Sequence, residues 1–347
     1  MKDERTSDQQ LKSETLFVRR IVIVAAFLGL GATIWFLSNV LLLVFAGILL
    51  AVILRSIAEP LIRKLGASEG VALSLAGLAI LVVLGAVFVL FGAQIYDQLR
   101  QLLEVLPAAA NRILADLGIA DIRELFTGTV VGNIAVTAYQ WGTAIISVAT
   151  ALLFVIFTGI YLAADPRTYR DGLVQLFPPN IQPMIGETLD DAGRALSLWL
   201  RGQLMAMLIV GVMTALALFL IGIPSAFALG FIAGIADFVP IVGPIVAAIP
   251  GLLVASSQGT EMVIWTLAAY ILVQQIESNI VLPMIVGSAV KIAPAVGLFA
   301  VIALGVLFGP LGVLFAYPLA VVVDVAVRRL YVRETLGEKV EISGEKK

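Results

Sequence analysis

The sequence predicts an all-α membrane protein that crosses the bilayer about eight times, and three observations carry this fold class. Of its 347 residues, 61% are hydrophobic and 13% charged, against about 25% charged in soluble domains. Apolar runs of roughly 18 residues recur, enough at ~1.5 Å per residue to match a hydrocarbon core about 30 Å thick. The polar stretches between them return apolar residues at helical spacing, the mark of amphipathic helices. Nucleic acid is not an expected partner, because a net charge of −2 offers it no basic surface. The chain has no His and no Cys, which removes His or Cys metal sites, thiol catalysis, disulfides and His proton relays. No cofactor and no metal site is expected. Any titrating chemistry falls to carboxylates, Lys, Arg or Tyr.

Residues 1–20 form a polar tail ending in Arg19-Arg20. Residues 21–91 hold three spans, at 21–38, 40–54 and 71–91. The first lacks a small-residue cleavage site and reads as an uncleaved span. The turn at Asn39 carries no Lys or Arg, whereas Arg19, Arg20, Arg55, Arg63 and Lys64 flank the two spans that it joins. The positive-inside rule therefore places the N-terminus in the cytoplasm. In 92–142 Ile95, Leu99, Leu102, Leu103 and Leu106 share a helical face before Pro107 breaks it. This extracytoplasmic segment is expected to lie on the membrane or against a second subunit. The fourth span, 143–164, ends at Asp165-Pro166-Arg167. Residues 165–203 form a cytoplasmic amphipathic segment: Ile181, Ile185, Leu189, Ala192, Leu196 and Trp199 line one face, and Glu187, Asp190, Asp191 and Arg194 the other. The transmembrane core is 204–327, and 328–347 is a cytoplasmic tail.

Within that core the fifth span, 204–221, gives way to a stretch with nine helix breakers: Gly222, Pro224, Gly230, Gly234, Pro240, Gly243, Pro244, Pro250 and Gly251. Pro removes a backbone donor and clashes with the preceding turn, and Gly loosens the helix. The freed backbone groups cannot face lipid, so such a segment belongs inside protein or beside a wet cavity. Asp237 lies three positions before Pro240. At mid-span it would cost roughly 2.5–3.5 kcal/mol if ionised and facing lipid. Its bland role is to cap free amides of the broken helix; its functional role is a proton or cation carrier. The span from 262 runs into Gln274-Gln275-Ile276-Glu277-Ser278-Asn279, a polar cluster that must face protein or water. The last apolar stretch, 295–327, is interrupted at Gly309-Pro310 and Pro318. Paired broken segments, here at Gly243-Pro244 and Gly309-Pro310, point to a transporter site. The candidate pathway residues are thus Asp237, Pro240, Gly243, Pro244, Gln274, Gln275, Glu277, Asn279, Gly309 and Pro310.

Several motifs carry a resemblance. They are Arg201-Gly202-Gln203 before a span, Phe238-Val239-Pro240-Ile241-Val242-Gly243-Pro244, and Gln275-Ile276-Glu277 with Pro283, Gly287 and Pro294. Gly305-Val306-Leu307-Phe308-Gly309-Pro310-Leu311-Gly312 and Tyr317-Pro318-Leu319-Ala320 complete the set. On these the chain resembles the autoinducer-2 exporter family of bacterial membrane proteins. The resemblance implies a transporter in the bacterial inner membrane, with export of autoinducer-2 or exchange of Na⁺ or Li⁺ for protons as family activities. The family usually places a neutral polar residue where this chain has Asp237, and that departure leans toward proton or cation coupling.

The partners expected are therefore the lipid bilayer, a small polar solute or a monovalent cation or proton, and further copies of the chain in a homo-oligomer. An uncoupled channel or membrane scaffold is the alternative without a titrating carboxyl. An enzyme is not expected: an intramembrane aspartyl dyad of Asp165 and Asp237 would lack that family's second Gly, and Asp165 sits at a span end.

Overall fold

The structure, a computed structural model, describes residues 25, 29, 31–33, 35–83, 85–86, 89, 134–285 and 292–345. The tail 1–20, most of the first span, most of the extracytoplasmic segment and Gly287 lie outside the described residues. The chain divides between Phe45 and Ala46 into two compact units. The first holds short helical stretches and the opening turns of α1; the second holds everything discussed below.

Helix α1 is Ser38–Leu65, α2 is Glu69–Val83 and α3 is Ile134–Ala164. Small side chains let them approach: Ala51, Leu54 and Ala58 of α1 bury against Ala72 and Ala76 of α2 and Ala163 of α3. A Cβ on Gly159 would fall 2.8 Å from Leu50 Cδ2. Arg55 Nε donates to the Ala163 carbonyl at 2.8 Å, satisfying one of the end carbonyls that every helix leaves open. Helix α4, Pro166–Val174, has Pro at its first turn and Asp165 as N-cap. Thr168 Oγ1 and the Thr168 amide donate to the Asp165 carboxylate at 2.5 and 3.2 Å. Those bonds, the side-chain one first, hold this exposed carboxyl below its ordinary value.

Helix α5, Gln182–Ile221, is one rod of 40 residues. Its polar first half and the fifth span belong to the same helix, which at ~1.5 Å per residue is about 60 Å long. It stops at Gly222, where φ is 85°, the left-handed conformation that suits glycine. Helix α6, Ala226–Ala236, then doubles back along α5. A Cβ on Gly234 would sit 2.7 Å from the Met207 carbonyl, and one on Gly230 2.6 Å from the Gly211 carbonyl. Helix α7, Val242–Ser256, returns beside α6, so the two form a hairpin with its tip at 237–241. Helix α8, Thr260–Ile276, packs antiparallel to α7 and continues through a wide π-helical turn at Glu277–Val281 to Ile285. Leu218, Ile223, Leu229, Ala233, Ala247, Ala255 and Tyr270 form the apolar core of this bundle.

Helix α9, Pro294–Ala326, contains one residue that is not helical, Gly309 at φ 65°, ψ −147°. A Cβ on Gly297 would fall 2.5 Å from the Tyr317 ring, and one on Gly312 1.9 Å from the Leu304 carbonyl. In a straight helix residues 297 and 317 would be about 30 Å apart. Residues 294–308 and 310–326 are therefore two arms of a second hairpin, followed by a π-helical turn, Val327–Arg333. Arg329, buried, donates to Asp191 and Glu187 near the start of α5. Arg194 donates to Asp191 and, at 2.6 Å, to the Gly344 carbonyl. Arg333 pairs with Glu345 at 2.5 and 2.8 Å and donates to the Val340 carbonyl at 2.8 Å. The end of the chain is thereby strapped across the first half of α5. Long apolar helices, the shorter apolar helices of the hairpins and the buried charges at one end together make an all-α polytopic membrane protein.

Candidate functional site

The first hairpin turns through Asp237, Phe238, Val239, Pro240 and Ile241. Pro240 cannot donate to a helix and Gly243 permits the tight return, because a Cβ there would stand 1.9 Å from the Ala236 carbonyl. The turn closes when the Val242 amide donates to the Pro240 carbonyl at 2.9 Å. Ile241 between them has φ 73°, ψ −53°, the strained positive-φ form of the γ-turn. For a β-branched residue such a conformation costs of order 1–3 kcal/mol. The ring of Phe238 meets Trp199 of α5 edge-on, with centroids 5.9 Å apart, and this contact pins the tip laterally.

Asp237 is the C-cap residue of α6 and is fully buried, at 0% exposure; Glu277 of α8 is 3% exposed. Their carboxyl groups face each other at interaction range. Gln203 Nε2 of α5 donates to the Asp237 backbone carbonyl at 2.7 Å, and Gln274 Nε2 donates to Glu277 Oε2 at 3.0 Å. Among the described residues neither carboxyl oxygen of Asp237 bonds to a backbone amide or to a side chain other than Glu277. The side chain therefore does not cap the broken helix. Two acidic groups, steadied by two neutral amides, meet where α5, α8 and the hairpin tip converge.

This convergence lies nearer one membrane border than mid-depth. Gln203 is where the apolar run 204–221 of α5 begins, two residues past Arg201. That run is about 27 Å long at ~1.5 Å per residue, so the tip reaches nearly across from the Ile221 end. Glu277 sits at the wide turn of α8, the kind of local helix irregularity that collects at working sites.

Of the residues marked by sequence, the structure brings Asp237, Glu277 and Gln274 together, with Pro240, Gly243 and Pro244 shaping the tip beside them. Gln275 and Asn279 turn to the exposed face of α8, where Asn279 Nδ2 donates to the Gln275 carbonyl at 2.8 Å and to its Oε1 at 3.0 Å. Gly309 and Pro310 form the tip of the second hairpin. Gln203 is the member that residue-by-residue reasoning passed over, although a polar side chain opening an apolar run is a readable signal. Thr214, Thr266 and Tyr270 were also missed, and each carries a buried hydroxyl with no partner among the described residues.

Comparison with known proteins places this geometry in context. The model of the AI-2E family transporter matches residues 22–331. YrrI of Bacillus subtilis (strain 168), which bears the name of a transport protein, is 29% identical over 60% of this chain and 58% of its own. The transport protein by name MT0215 of Mycobacterium tuberculosis is 27% identical over 94% of this chain and 93% of its own. AI-2 transport protein TqsA of Escherichia coli (strain K12) is 26% identical over 55% of this chain and 54% of its own. The match thus spans little more than half the length of YrrI and TqsA. A family match over nearly the whole chain, on an all-α membrane fold with two broken hairpins, leads to one statement: this chain belongs to the AI-2E family of transporters.

Proposed function

We propose that the protein exports a small polar solute such as autoinducer-2, and that proton movement through the Asp237–Glu277 pair drives it. The pair is the observation that carries this reading. Two negative charges in a site closed to water repel strongly, so a proton held between them lowers the energy. Gaining or losing that proton changes the charge at a hairpin tip already held in a strained turn. The half-helix ends around the tip present partial charges that suit a polar solute. The name of TqsA supports autoinducer-2 as the first solute to test.

A Na⁺(Li⁺)/H⁺ antiporter is the second reading, and the neighbouring carboxyls of Asp237 and Glu277 favour it, because a monovalent cation can replace the proton between them. An uncoupled channel or scaffold would show no dependence on a proton gradient. Catalysis is not proposed: Asp165, the other half of an aspartyl dyad, is engaged as the cap of α4. In this reading the protein sits in the bacterial inner membrane with both termini cytoplasmic, as a homo-oligomer whose amphipathic segments meet between subunits. Purified protein in proteoliposomes tests the reading. Autoinducer-2 efflux that follows an imposed pH gradient supports it, Na⁺ or Li⁺ exchange without autoinducer-2 movement selects the antiporter, and transport indifferent to the gradient rejects coupling.

A further inference from the structure

Three side-chain hydroxyls in the bundle that holds the carboxyl pair are buried and unpartnered among the described residues: Thr214, Thr266 and Tyr270. Their exposures are 2, 0 and 9%. A buried hydroxyl without a partner costs about 1–3 kcal/mol, and side chains of Thr in helices ordinarily avoid this by bonding a carbonyl one turn back. These three do not.

Their placement is ordered. On α8 the buried residues Thr266, Tyr270, Val273 and Glu277 follow one another at spacings of four, three and four, which is one helical face. On α5 the buried residues Gln203, Ala206, Val210, Thr214 and Leu218 do the same. Helices α5 and α8 pack against each other, and Leu218 and Tyr270 share one core cluster. Both faces lead away from the carboxyl pair toward the Ile221 end. Thr214 is eleven residues from Gln203 and Thr266 eleven from Glu277. Each step is about 16 Å at ~1.5 Å per residue, so the two threonines lie at the same depth. Tyr270 stands between, its hydroxyl against Gly251 of α7. The unpartnered hydroxyls thus stand at two levels, Tyr270 about 10 Å and the two threonines about 16 Å from the carboxyl pair along the helix axes at ~1.5 Å per residue.

Resting on the proton-coupled reading above, we propose that Thr214, Tyr270 and Thr266 line the route by which protons pass between the Asp237–Glu277 pair and the membrane face at the Ile221 end. Hydroxyls both donate and accept, so a chain of them with intervening water carries a proton without any group holding a net charge for long.

The test is proton flux into pyranine-loaded proteoliposomes under an imposed pH gradient, with full-length protein. Thr214→Val with Thr266→Val, and separately Tyr270→Phe, keep shape and remove the hydroxyls. Each is expected to lower flux at least tenfold while melting at the same or higher temperature. Thr214→Ser with Thr266→Ser retains the hydroxyls and is expected to retain flux. A structural role alone predicts the same melting behaviour but unchanged flux. Unchanged flux in the Val and Phe variants, with Asp237→Asn still abolishing it, would overturn the route and leave the coupling pair standing. Wild-type flux that Asp237→Asn does not alter would overturn the coupling reading itself.

Discussion

Gln203 holds Asp237 by its backbone carbonyl, at 2.7 Å, and leaves the carboxyl of the same residue untouched. Position and chemistry of Asp237 are therefore separable. Asp237→Asn keeps the Gln203 bond, the helix end and nearly the same volume, and removes only the group that takes up a proton. The expected result is a folded protein whose gradient-driven transport falls at least tenfold and no longer varies with pH. Measurement in proteoliposomes at several pH values checks it. Retained pH dependence would leave Asp237 structural and Glu277 as the carboxyl to test.

The tip tolerates no side chain at Gly243. A Cβ 1.9 Å from the Ala236 carbonyl forces backbone to move, and Gly243→Ala is expected to cost about 3 kcal/mol, the upper end of overpacking. Gly193 in α5 has open space around its Cα, so Gly193→Ala is expected to stabilise by roughly 0.5–1 kcal/mol through helix propensity. Thermal unfolding of the two variants in the same detergent, with opposite shifts, checks the pair.

Ile241 offers the converse experiment. Glycine adopts its φ of 73° without steric cost. Ile241→Gly is expected to be neutral to about 1 kcal/mol stabilising, the relief of strain exceeding the entropy that glycine adds to the unfolded chain. A loss of more than 2 kcal/mol, the usual order for removing a packed aliphatic side chain, would show that Ile241 is held by packing and not strained.

The strap over α5 is loosened by acid. Arg333 holds the Glu345 carboxyl below its ordinary value of 4.5. A lowered carboxyl stabilises the folded form fully above the ordinary value, and that contribution disappears as pH falls through the lowered one. The C-terminal residues are expected to stay protected at neutral pH and to become protease-sensitive at acid pH below 4.5. Glu345→Gln should release them already at neutral pH, and added salt should act in the same direction because the pair is exposed. Limited proteolysis across pH, followed by mass measurement of the tail fragment, reads this out.

The proposed sidedness is open to labelling, because the chain has no Cys. Gln258→Cys, at the turn between α7 and α8, is expected to react with an impermeant maleimide on intact cells, and Glu338→Cys only after permeabilisation. The reverse pattern would invert the proposed orientation.

Much of this was legible in the residues. The broken segments were visible because Gly and Pro act locally: Pro240, Gly243 and Gly309 break a helix wherever the chain goes. Asp237 and Glu277 were visible because charge in an apolar run is rare. Which polar residues meet was not legible, since it depends on the rotation of α8: Gln274 and Glu277 turn inward, while Gln275 and Asn279 turn outward. The depth of Asp237 was hidden for a related reason. Counting along the chain puts it mid-segment, but the chain doubles back there, so the middle of the segment is the far end of a hairpin. Thr214, Thr266 and Tyr270 became conspicuous only once their neighbours were known, because an unpartnered hydroxyl is a property of packing.

The doubled-back course of α9 settles a matter of parity. A helix of 33 residues with apolar composition invites counting as one passage through the membrane, and one passage would deliver the chain end to the side opposite the start of α5. A hairpin adds two helices and no passage. Among the described residues from 182 onward, α5 and α8 run the length of the bundle in opposite directions, while 226–256 and 294–326 each return to the end from which they came. The sum is even, so Arg329 arrives on the side where Asp191 and Glu187 wait. The ion pairs that join these residues are what an odd count would have kept a bilayer apart.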